Sequence, residues 1–242
     1  MSAVADDLMT PTSRTTVRRK ADRARYDRAV VHGVLDEALH CTVAFAVDGR
    51  PWAIPTIHAR VGDALYLHGA PANHMLQSAV AGTEVCVTAT LVDGLVLARS
   101  WFHHSVNYRS VVLFGRAVRV DDVAEKRVAL RALVEHVMEG RSDDAREPTD
   151  GELRATLVLR VPIDEASAKV RTGGPIDDDD DLALDVWAGD LPLRVQAGVP
   201  RPDPLLDGAR AATVPSYVRV WSPAGSAAVG ERVGEGVDEV TQ

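Results

Sequence analysis

The segment Arg99-Ser-Trp-Phe-His-His-Ser-Val-Asn-Tyr-Arg-Ser-Val-Val-Leu-Phe-Gly-Arg116 joins a dense polar half to an apolar run over residues 111–114. The apolar run predicts a long strand over 108–120. A plain strand needs one apolar face and some solvated polar residues, and this segment adds adjacent histidines, an asparagine, a tyrosine and arginines. The excess of donors, acceptors and titratable rings indicates that a polar ligand lies beside this strand.

Short alternating segments and tight turns surround this strand in the sequence. The run 42–47 is followed by Asp48-Gly49, a strong hairpin signal. Further strands are predicted over 51–60, 64–68, 83–91, 95–98 and 156–163, with a turn at 92–94, and helices over 18–39, 73–81 and 123–138. Many short strands with few helices predict a mainly β (β+α) fold, an antiparallel barrel with flanking helices.

The two ends of the chain differ in composition from its middle. Residues 1–16 are small and polar, which predicts a disordered arm. The extension 176–222 carries Trp187, Leu191, Tyr217 and Trp221, which are too apolar for a free segment, so it is predicted to pack on the barrel. Residues 223–242 are rich in Gly, Glu and Ala and predict a flexible tail.

Composition excludes several classes of protein. A net charge of −8 over 242 residues argues against a nucleic-acid-binding surface. No run approaches the roughly 18 apolar residues that span a bilayer, and the N-terminus has no signal-peptide core, which predicts a cytoplasmic protein without membrane association. Cys41 and Cys86 lie in apolar runs and are predicted to be buried thiols. The histidines lack the spacing of a zinc site, so no metal site is predicted.

The turn from His68 to His74 is the first candidate site. Gly69 and Ala70 allow a ligand to approach the backbone closely, and amides at the start of the following helix favour a phosphate. The plain alternative is an ordinary strand-to-helix turn in which Asn73 caps the helix.

Two further groups offer charged or titratable side chains. Neighbours in an extended segment face opposite ways, so at most one of His103 and His104 faces a pocket. Lys169 and Arg171 share one face and suit a carboxylate or phosphate; alternatively, they pair with the aspartate run 177–181.

Four segments together resemble a known superfamily: Arg18-Arg-Lys-Ala-Asp-Arg23, Trp52-Ala-Ile-Pro-Thr-Ile57, Leu67-His-Gly-Ala-Pro-Ala72 and Asn107-Tyr-Arg-Ser-Val-Val-Leu-Phe-Gly115. The chain resembles the pyridoxamine 5′-phosphate oxidase-related, flavin-binding split-barrel superfamily, and within it the nitroimidazole-resistance-like branch, over residues 17–175. This resemblance implies a six-stranded antiparallel split β-barrel that binds flavin mononucleotide (FMN) at the interface of a homodimer.

The resemblance also implies roles for individual residues. Ile54, Pro55 and Thr56 would lie along the flavin ring. The residues expected at the phosphate and ribityl end are His68, Gly69, Ala70, Asn73 and His74. Tyr108, Arg109 and Ser110 would line the same groove, and Lys169 and Arg171 would bind an anionic group. Relatives usually carry Arg or Lys near the position of Asn73 and His74, so the phosphate contacts are expected to differ here.

The function expected from these residues is an FMN-dependent oxidoreductase acting on a small anionic or aromatic substrate. His68 or His104 would supply a proton, since imidazole titrates near neutral pH. Two alternatives stay open. Some split barrels bind haem, for which His68, His74 or His104 would be the axial ligand. A third possibility is a flavin-binding protein that catalyses nothing.

Overall fold

The computed structural model describes residues 7–222, which form two antiparallel sheets with flanking helices. The strands are β1 (Ala24–Arg25), β2 (Cys41–Val47), β3 (Arg50–Thr56), β4 (His58–Val61), β5 (Ala64–Gly69), β6 (Glu84–Leu97), β7 (Ser105–Arg116), β8 (Val118–Arg119), β9 (Leu157–Pro162), β10 (Glu165–Arg171) and β11 (Gly189–Pro192). The helices are α1 (Arg28–Glu37), α2 (His74–Val80), α3 (Val123–Val137), α4 (Arg141–Asp144), α5 (Asp150–Arg154), α6 (Gly208–Ala212) and α7 (Ser216–Arg219).

The larger sheet has the strand order β1-β10-β7-β6-β2-β3, with β11 added beside β6, and the smaller has the order β4-β5-β9-β8. The chain passes from one sheet to the other at Ile57, between β3 and β4, and at Ala117, between β7 and β8. The β2–β3 hairpin closes at Asp48 and Gly49, whose φ angles of 50° and 73° are both positive, as a two-residue hairpin turn requires. The mainly β, antiparallel fold with flanking helices is confirmed.

The core lies between the two sheets. Alternate residues of the long strands face inward and are almost fully buried, as Val87, Val111 and Ala168 show. Leu67 of the smaller sheet and Leu76 of α2 close the same cluster. Each fully buried aliphatic side chain stabilises the fold by roughly 1.5–3 kcal/mol. Because the inward side of β6, β7 and β10 is core, their other side, called the outer face below, remains available for a ligand or a partner.

The first predicted helix is shorter than the sequence indicates. It begins at Arg28, with Asp27 at its N-cap position, and the residues before it form a 3-10 turn and the strand β1. The prediction of a helix from residue 18 is wrong because apolar residues recur at helical spacing only from Ala29 onwards. The basic residues upstream are held instead by pairing of β1 with β10.

The N-terminal arm is ordered from residue 7 onwards. Met9 is buried, and Thr12 donates a hydrogen bond to Glu165 at 2.5 Å. The guanidinium of Arg14 bridges Glu84 and Glu165. The prediction of a disordered arm is therefore wrong for residues 7–16, because specific polar contacts with the barrel compensate for the small apolar content; residues 1–6 lie outside the described part.

The extension after residue 176 touches the rest of the chain near its start, where Asp177 and Asp178 contact Arg99 and His103, and at two further places. Strand β11 pairs with β6, and Trp221 donates to the carbonyl of Val137 at 3.1 Å. The segment between these contacts is almost wholly exposed from residue 194 to 210. The predicted tail at 223–242 lies outside the described residues. Within residues 7–222, every helix is too short or too polar to cross a bilayer.

Strand β6 replaces the predicted turn at 92–94 with a bulge. Its register against β7 shifts between Val92 and Gly94, and the strand continues to Leu97. Asp93 is the extra residue, and its side chain accepts hydrogen bonds from Arg109. A turn signal in the sequence thus produces a bulge, because the partner strand continues on both sides of it.

Candidate functional site

Four of the predicted site residues meet on β7 and β10. Ser110 lies opposite Lys169 in the strand register, and Tyr108 lies opposite Arg171. Directly opposite residues of an antiparallel pair project to the same side of the sheet. Ser110 and Lys169 lie one residue from the buried pair formed by Val111 and Ala168, and therefore project to the outer face.

An exposed apolar row continues this outer face towards the β6–β7 connection. Leu191, Leu95 and Val106 are aligned across β11, β6 and β7, and their exposed fractions are 51%, 36% and 38%. The connection beyond them carries Trp101 and Phe102, which are 97% and 89% exposed. Contiguous apolar surface of this kind indicates an interface or a ligand site.

Residues 99–104, called the tip below, form a fixed structure. Asp177 accepts hydrogen bonds from the backbone N–H and the Nη1 of Arg99, at 3.0 and 2.8 Å. Nε2 of His103 lies 3.2 Å from a carboxylate oxygen of Asp178. The prediction that the aspartate run pairs with Lys169 and Arg171 is wrong for these two aspartates, because Arg99 and His103 engage them.

The side chain of His104 is oriented by the backbone of Ser100, four residues earlier. Its Nδ1 donates to the carbonyl of Ser100 at 2.8 Å, so the neutral ring presents Nε2 as an acceptor. No other residue within 7–222 bonds to that nitrogen. Histidines that bind metals show this arrangement, with one ring nitrogen held by a carbonyl and the other free.

His68, the last residue but one of β5, lies in a different environment. It is half-buried, and its Nδ1 is enclosed without a hydrogen-bond partner among residues 7–222. Burial lowers its pKa, so the ring is neutral at pH 7. Gly69 follows, where a Cβ would approach the Leu76 side chain to 3.0 Å, which explains the glycine in this turn.

The remainder of the turn has the features of an ordinary helix cap. Asn73 accepts from the N–H of Leu76 at 3.1 Å, and the helix it caps has only seven residues. His74 is exposed, and its ring lies 4.9 Å from that of Trp52. Asn73 therefore has the role of a helix cap in an ordinary strand-to-helix turn, and not that of a phosphate-binding residue. His74 packs the turn against β3.

Ile54, Pro55 and Thr56 lie on β3, at the edge of the larger sheet. Within residues 7–222, strand β3 pairs only with β2, and no described strand pairs with its outer row of peptide groups. Strands β2 and β6 lie between β3 and β7, so Thr56 and Tyr108 are separated by about three strand spacings of about 4.8 Å. Within one chain the predicted residues thus form two groups, one on β3 and the turn, the other on β7 and β10.

Arg109 belongs to neither group. Its guanidinium binds Asp93 at 2.7 and 3.0 Å and Glu37 at 2.9 Å, and a further hydrogen bond joins it to Glu37. These carboxylates raise its pKa. The expectation that Arg109 binds the cofactor is not supported by this geometry, because two carboxylates already neutralise the side chain.

Arg171 differs from Arg109 because its hydrogen bonds go to neutral groups. It is 5% exposed and donates to the carbonyls of Gly173 and Gly174, both at 3.0 Å, and to the side chain of Asn107. Burial and the nearby Arg23 lower its pKa. No carboxylate within residues 7–222 pairs with it. Beside it on β10, Lys169 is half-buried and donates to the carbonyl of Arg19 at 3.1 Å.

The sequence analysis missed the aromatic pair at the tip. Trp101 and Phe102 have no role assigned from the sequence, and their exposure in the fold indicates one. The available signal was their position between polar residues, since adjacent aromatic residues are scarce in a chain with 5% aromatic content.

Comparisons with known proteins extend over most of the chain. It is 37% identical to the flavocytochrome Anf3 from Azotobacter vinelandii, covering 87% of this chain and 97% of that one, with a TM-score of 0.80. It is 36% identical to an FAD- and haem-binding protein from Mycobacterium smegmatis, covering 83% and 98% with a TM-score of 0.78. A putative 5-nitroimidazole antibiotic resistance protein from Bacteroides thetaiotaomicron is 27% identical, covering 61% and 86%, with a TM-score of 0.50.

No curated protein matches the chain. The family model described as pyridoxamine 5′-phosphate oxidase matches residues 27–170. This match covers more than half of the chain, includes most of the strands described above, and confirms the resemblance found in the sequence. The chain belongs to the pyridoxamine 5′-phosphate oxidase family.

Proposed function

We propose that this protein is a flavin- and haem-binding oxidoreductase that works as a homodimer. The observation that carries the proposal is the likeness to two proteins named for both cofactors, at 36–37% identity over nearly their whole length. The sequence alone predicts FMN, with haem as an alternative. The name of the Mycobacterium smegmatis relative favours FAD as the flavin, and both names favour a flavin and haem together.

The flavin fits features on both groups of residues. The free edge of β3 offers unpaired peptide groups beside Ile54 and Thr56, where the edge of a flat ring can form hydrogen bonds. On the outer face, Lys169 and Arg171 are cations without carboxylate partners among residues 7–222, and they suit the phosphates of FAD. Because β2 and β6 separate the two groups in one chain, a site that uses both needs a second copy.

The haem fits the tip. His104 has one ring nitrogen fixed by the carbonyl of Ser100, and no residue within 7–222 bonds to the other, so this nitrogen would hold the haem iron. Trp101 and Phe102 supply the flat apolar surface that a porphyrin requires. Of the three candidate ligands, His74 already packs beside Trp52, and the enclosed Nδ1 of His68 lacks the orienting carbonyl.

The outer face supports the proposal of a homodimer. The apolar row of Leu95, Val106 and Leu191, together with the tip, is exposed in a single chain. A second copy would cover it, and obligate interfaces are built from apolar surface of this type. Each site would then contain β3 of one chain and the outer face of the other.

When bound, the flavin supplies hydride chemistry and the haem supplies one-electron chemistry. The protein binds, orients and shields these groups. Burial lowers the pKa of His68, so its ring is neutral at pH 7, and it lies on the turn that approaches β3 through His74. There it would accept a proton rather than supply one. The half-buried Lys169 would attract an anionic substrate group.

The test is the absorption spectrum of the full-length protein, purified from cells supplied with haem precursor and riboflavin. We expect a Soret band and the visible absorbance of oxidised flavin, with FAD, not FMN, released on denaturation. His104→Ala should lose the Soret band and keep the flavin, whereas the matched variants His74→Ala and His68→Ala should keep both. A protein with neither absorbance would refute the proposal.

Two further outcomes separate the alternatives. Loss of the Soret band in His68→Ala instead of His104→Ala would move the axial ligand to the β5 turn. Bound flavin that nicotinamide nucleotides do not reduce, and that reacts with no acceptor, would favour the non-catalytic flavin-binding protein over an oxidoreductase.

A further inference from the structure

Arg171 carries a buried positive charge that nothing in the described chain balances. Among the residues of 7–222 that are buried as a whole, Arg171 alone carries an ionised side chain, and its partners there are two carbonyls and an amide. A cation removed from water without an anion costs free energy that neutral acceptors compensate only in part. An anion beside it would restore the balance.

The hydrogen bonds of Arg171 leave one edge of its guanidinium free. Nη1 donates to Asn107 and Gly173, and Nη2 donates to Gly174. Among residues 7–222 the buried Nε has no hydrogen-bond partner and Nη2 has one, so the Nε–H and one N–H of Nη2 remain. These two N–H groups lie side by side and match the two oxygens of a carboxylate or phosphate.

The segment beside Arg171 is strongly basic, although the whole chain carries a net charge of −8. Pairing of β1 with β10 places this segment next to Lys169. It contains the cations Arg18, Arg19, Lys20, Arg23 and Arg25 and the single acid Asp22. Lys20 adopts the left-handed backbone region, with φ of 58°, which non-glycine residues seldom occupy. The region formed by residues 18–25 and 169–174 is called the basic corner below.

We propose that the basic corner binds an oxyanion group, a carboxylate or a phosphate, with the Nε/Nη2 edge of Arg171 as its bidentate anchor. Arg23 and Lys169 add positive charge around it. A free anion or an anionic group of a bound cofactor has the same chemistry here. If the oxyanion is a flavin phosphate or a haem propionate, the inference rests on the proposed function. If it is free phosphate, the inference does not depend on that function.

The experiment uses the full-length protein as purified, with its flavin and haem contents measured. For cofactor-free protein, the melting temperature is compared in inorganic phosphate, acetate and chloride at equal ionic strength. We expect phosphate or acetate to raise it by several degrees over chloride. Arg171→Lys keeps the charge and loses the paired N–H groups, so most of this rise should disappear. Arg201→Lys, on the exposed extension, is the matched control and should respond as the wild type does.

If the purified protein retains a cofactor, the measurement is the fraction of that cofactor released when the protein is diluted, in place of the melting temperature in different anions. Arg171→Lys should then release that cofactor roughly tenfold more readily, since a charge-assisted pair is lost. Loss of flavin alone assigns the oxyanion to its phosphates, and loss of haem alone assigns it to a propionate. Arg23→Gln provides a second variant, with a smaller effect in the same direction, should Arg171→Lys fail to fold.

Three results would overturn the proposal. In the first, phosphate and acetate raise the melting temperature of the cofactor-free wild type no more than chloride does. In the second, the melting temperature of Arg171→Lys responds to these anions as that of the wild type does. In the third, the wild type and Arg171→Lys retain the bound cofactor equally well on dilution. A phosphate response in a protein that never binds flavin or haem would leave the oxyanion site standing and refute the proposed function.

Discussion

The carboxylate of Asp177 holds Arg99 by two groups at once, the backbone N–H at 3.0 Å and the guanidinium at 2.8 Å. The Asp177 side chain is 1% exposed. Burial alone would raise its pKa, but the hydrogen bonds from Arg99 outweigh this effect and lower it. The first residue of the extension's aspartate run therefore fixes the start of the tip that presents Trp101 and Phe102.

We expect Asp177→Asn to loosen the tip, because an amide cannot replace both charge-assisted hydrogen bonds. Hydrogen exchange at the Arg99 amide should accelerate, and so should proteolysis within residues 99–104. Asp180→Asn is the control, since Asp180 is an exposed member of the same run. Unchanged exchange at Arg99 in the Asp177 variant would contradict the role given to this contact.

The double substitution of Trp101→Ser and Phe102→Ser should weaken the proposed dimer and leave the monomer folded. Both rings are almost fully exposed in one chain, so their removal creates no cavity. We expect the dissociation constant to rise by roughly tenfold or more, since buried aromatic anchors dominate interfaces. Sedimentation velocity measures this change.

Val199→Ser is the control for that experiment, because Val199 is 89% exposed and lies outside the tip. A double variant that associates as tightly as the wild type would exclude the tip from the interface. A monomeric wild type would refute the homodimer itself.

Arg109→Gln should reduce stability without weakening flavin binding. The substitution leaves Glu37 and Asp93 facing each other without the cation that joins them. We expect the free energy of unfolding to fall by about 2 kcal/mol, a value reduced because the site is partly exposed to solvent. Urea unfolding and a flavin titration measure the two effects. Weaker flavin binding at unchanged stability would restore Arg109 to the cofactor site.

His58 should make the protein sensitive to acid. Its ring is fully buried, Nε2 donates to the carbonyl of Leu35 at 2.8 Å, and the ring of His136 lies 4.8 Å away. Burial lowers the pKa of His58 from 6.5 to about 4. The unfolded chain therefore takes up the proton first as pH falls, so the stability present above pH 6.5 decreases by roughly 3 kcal/mol by pH 4.

The measurement is urea unfolding across this pH range. His58→Gln can still donate to Leu35 and does not titrate, so its profile should be flatter than that of the wild type. His74→Gln, at an exposed ring, should leave the slope unchanged. Equal slopes in the wild type and His58→Gln would assign the acid sensitivity to other groups.

Local signals in the sequence determined much of the fold. The alternation along β6 and β7, the Asp48-Gly49 turn, and the caps at Asn73 and Asp122 act between residues close in the chain. The four segments that resemble the split-barrel superfamily also identified the family from the sequence alone. Such signals depend on backbone preference and on which face of an element is apolar, and both can be read locally.

Only the tertiary structure decided which charges meet. Arg109 is neutralised by Glu37, 72 positions earlier in the chain, whereas Arg171 remains without a carboxylate partner. The sequence does not distinguish these two arginines as candidates for binding an anion, because it shows which residues are charged and not which residues lie beside them in the fold. An arginine becomes available to a ligand when the fold brings no carboxylate to it, and that outcome depends on strand order and register across the whole sheet.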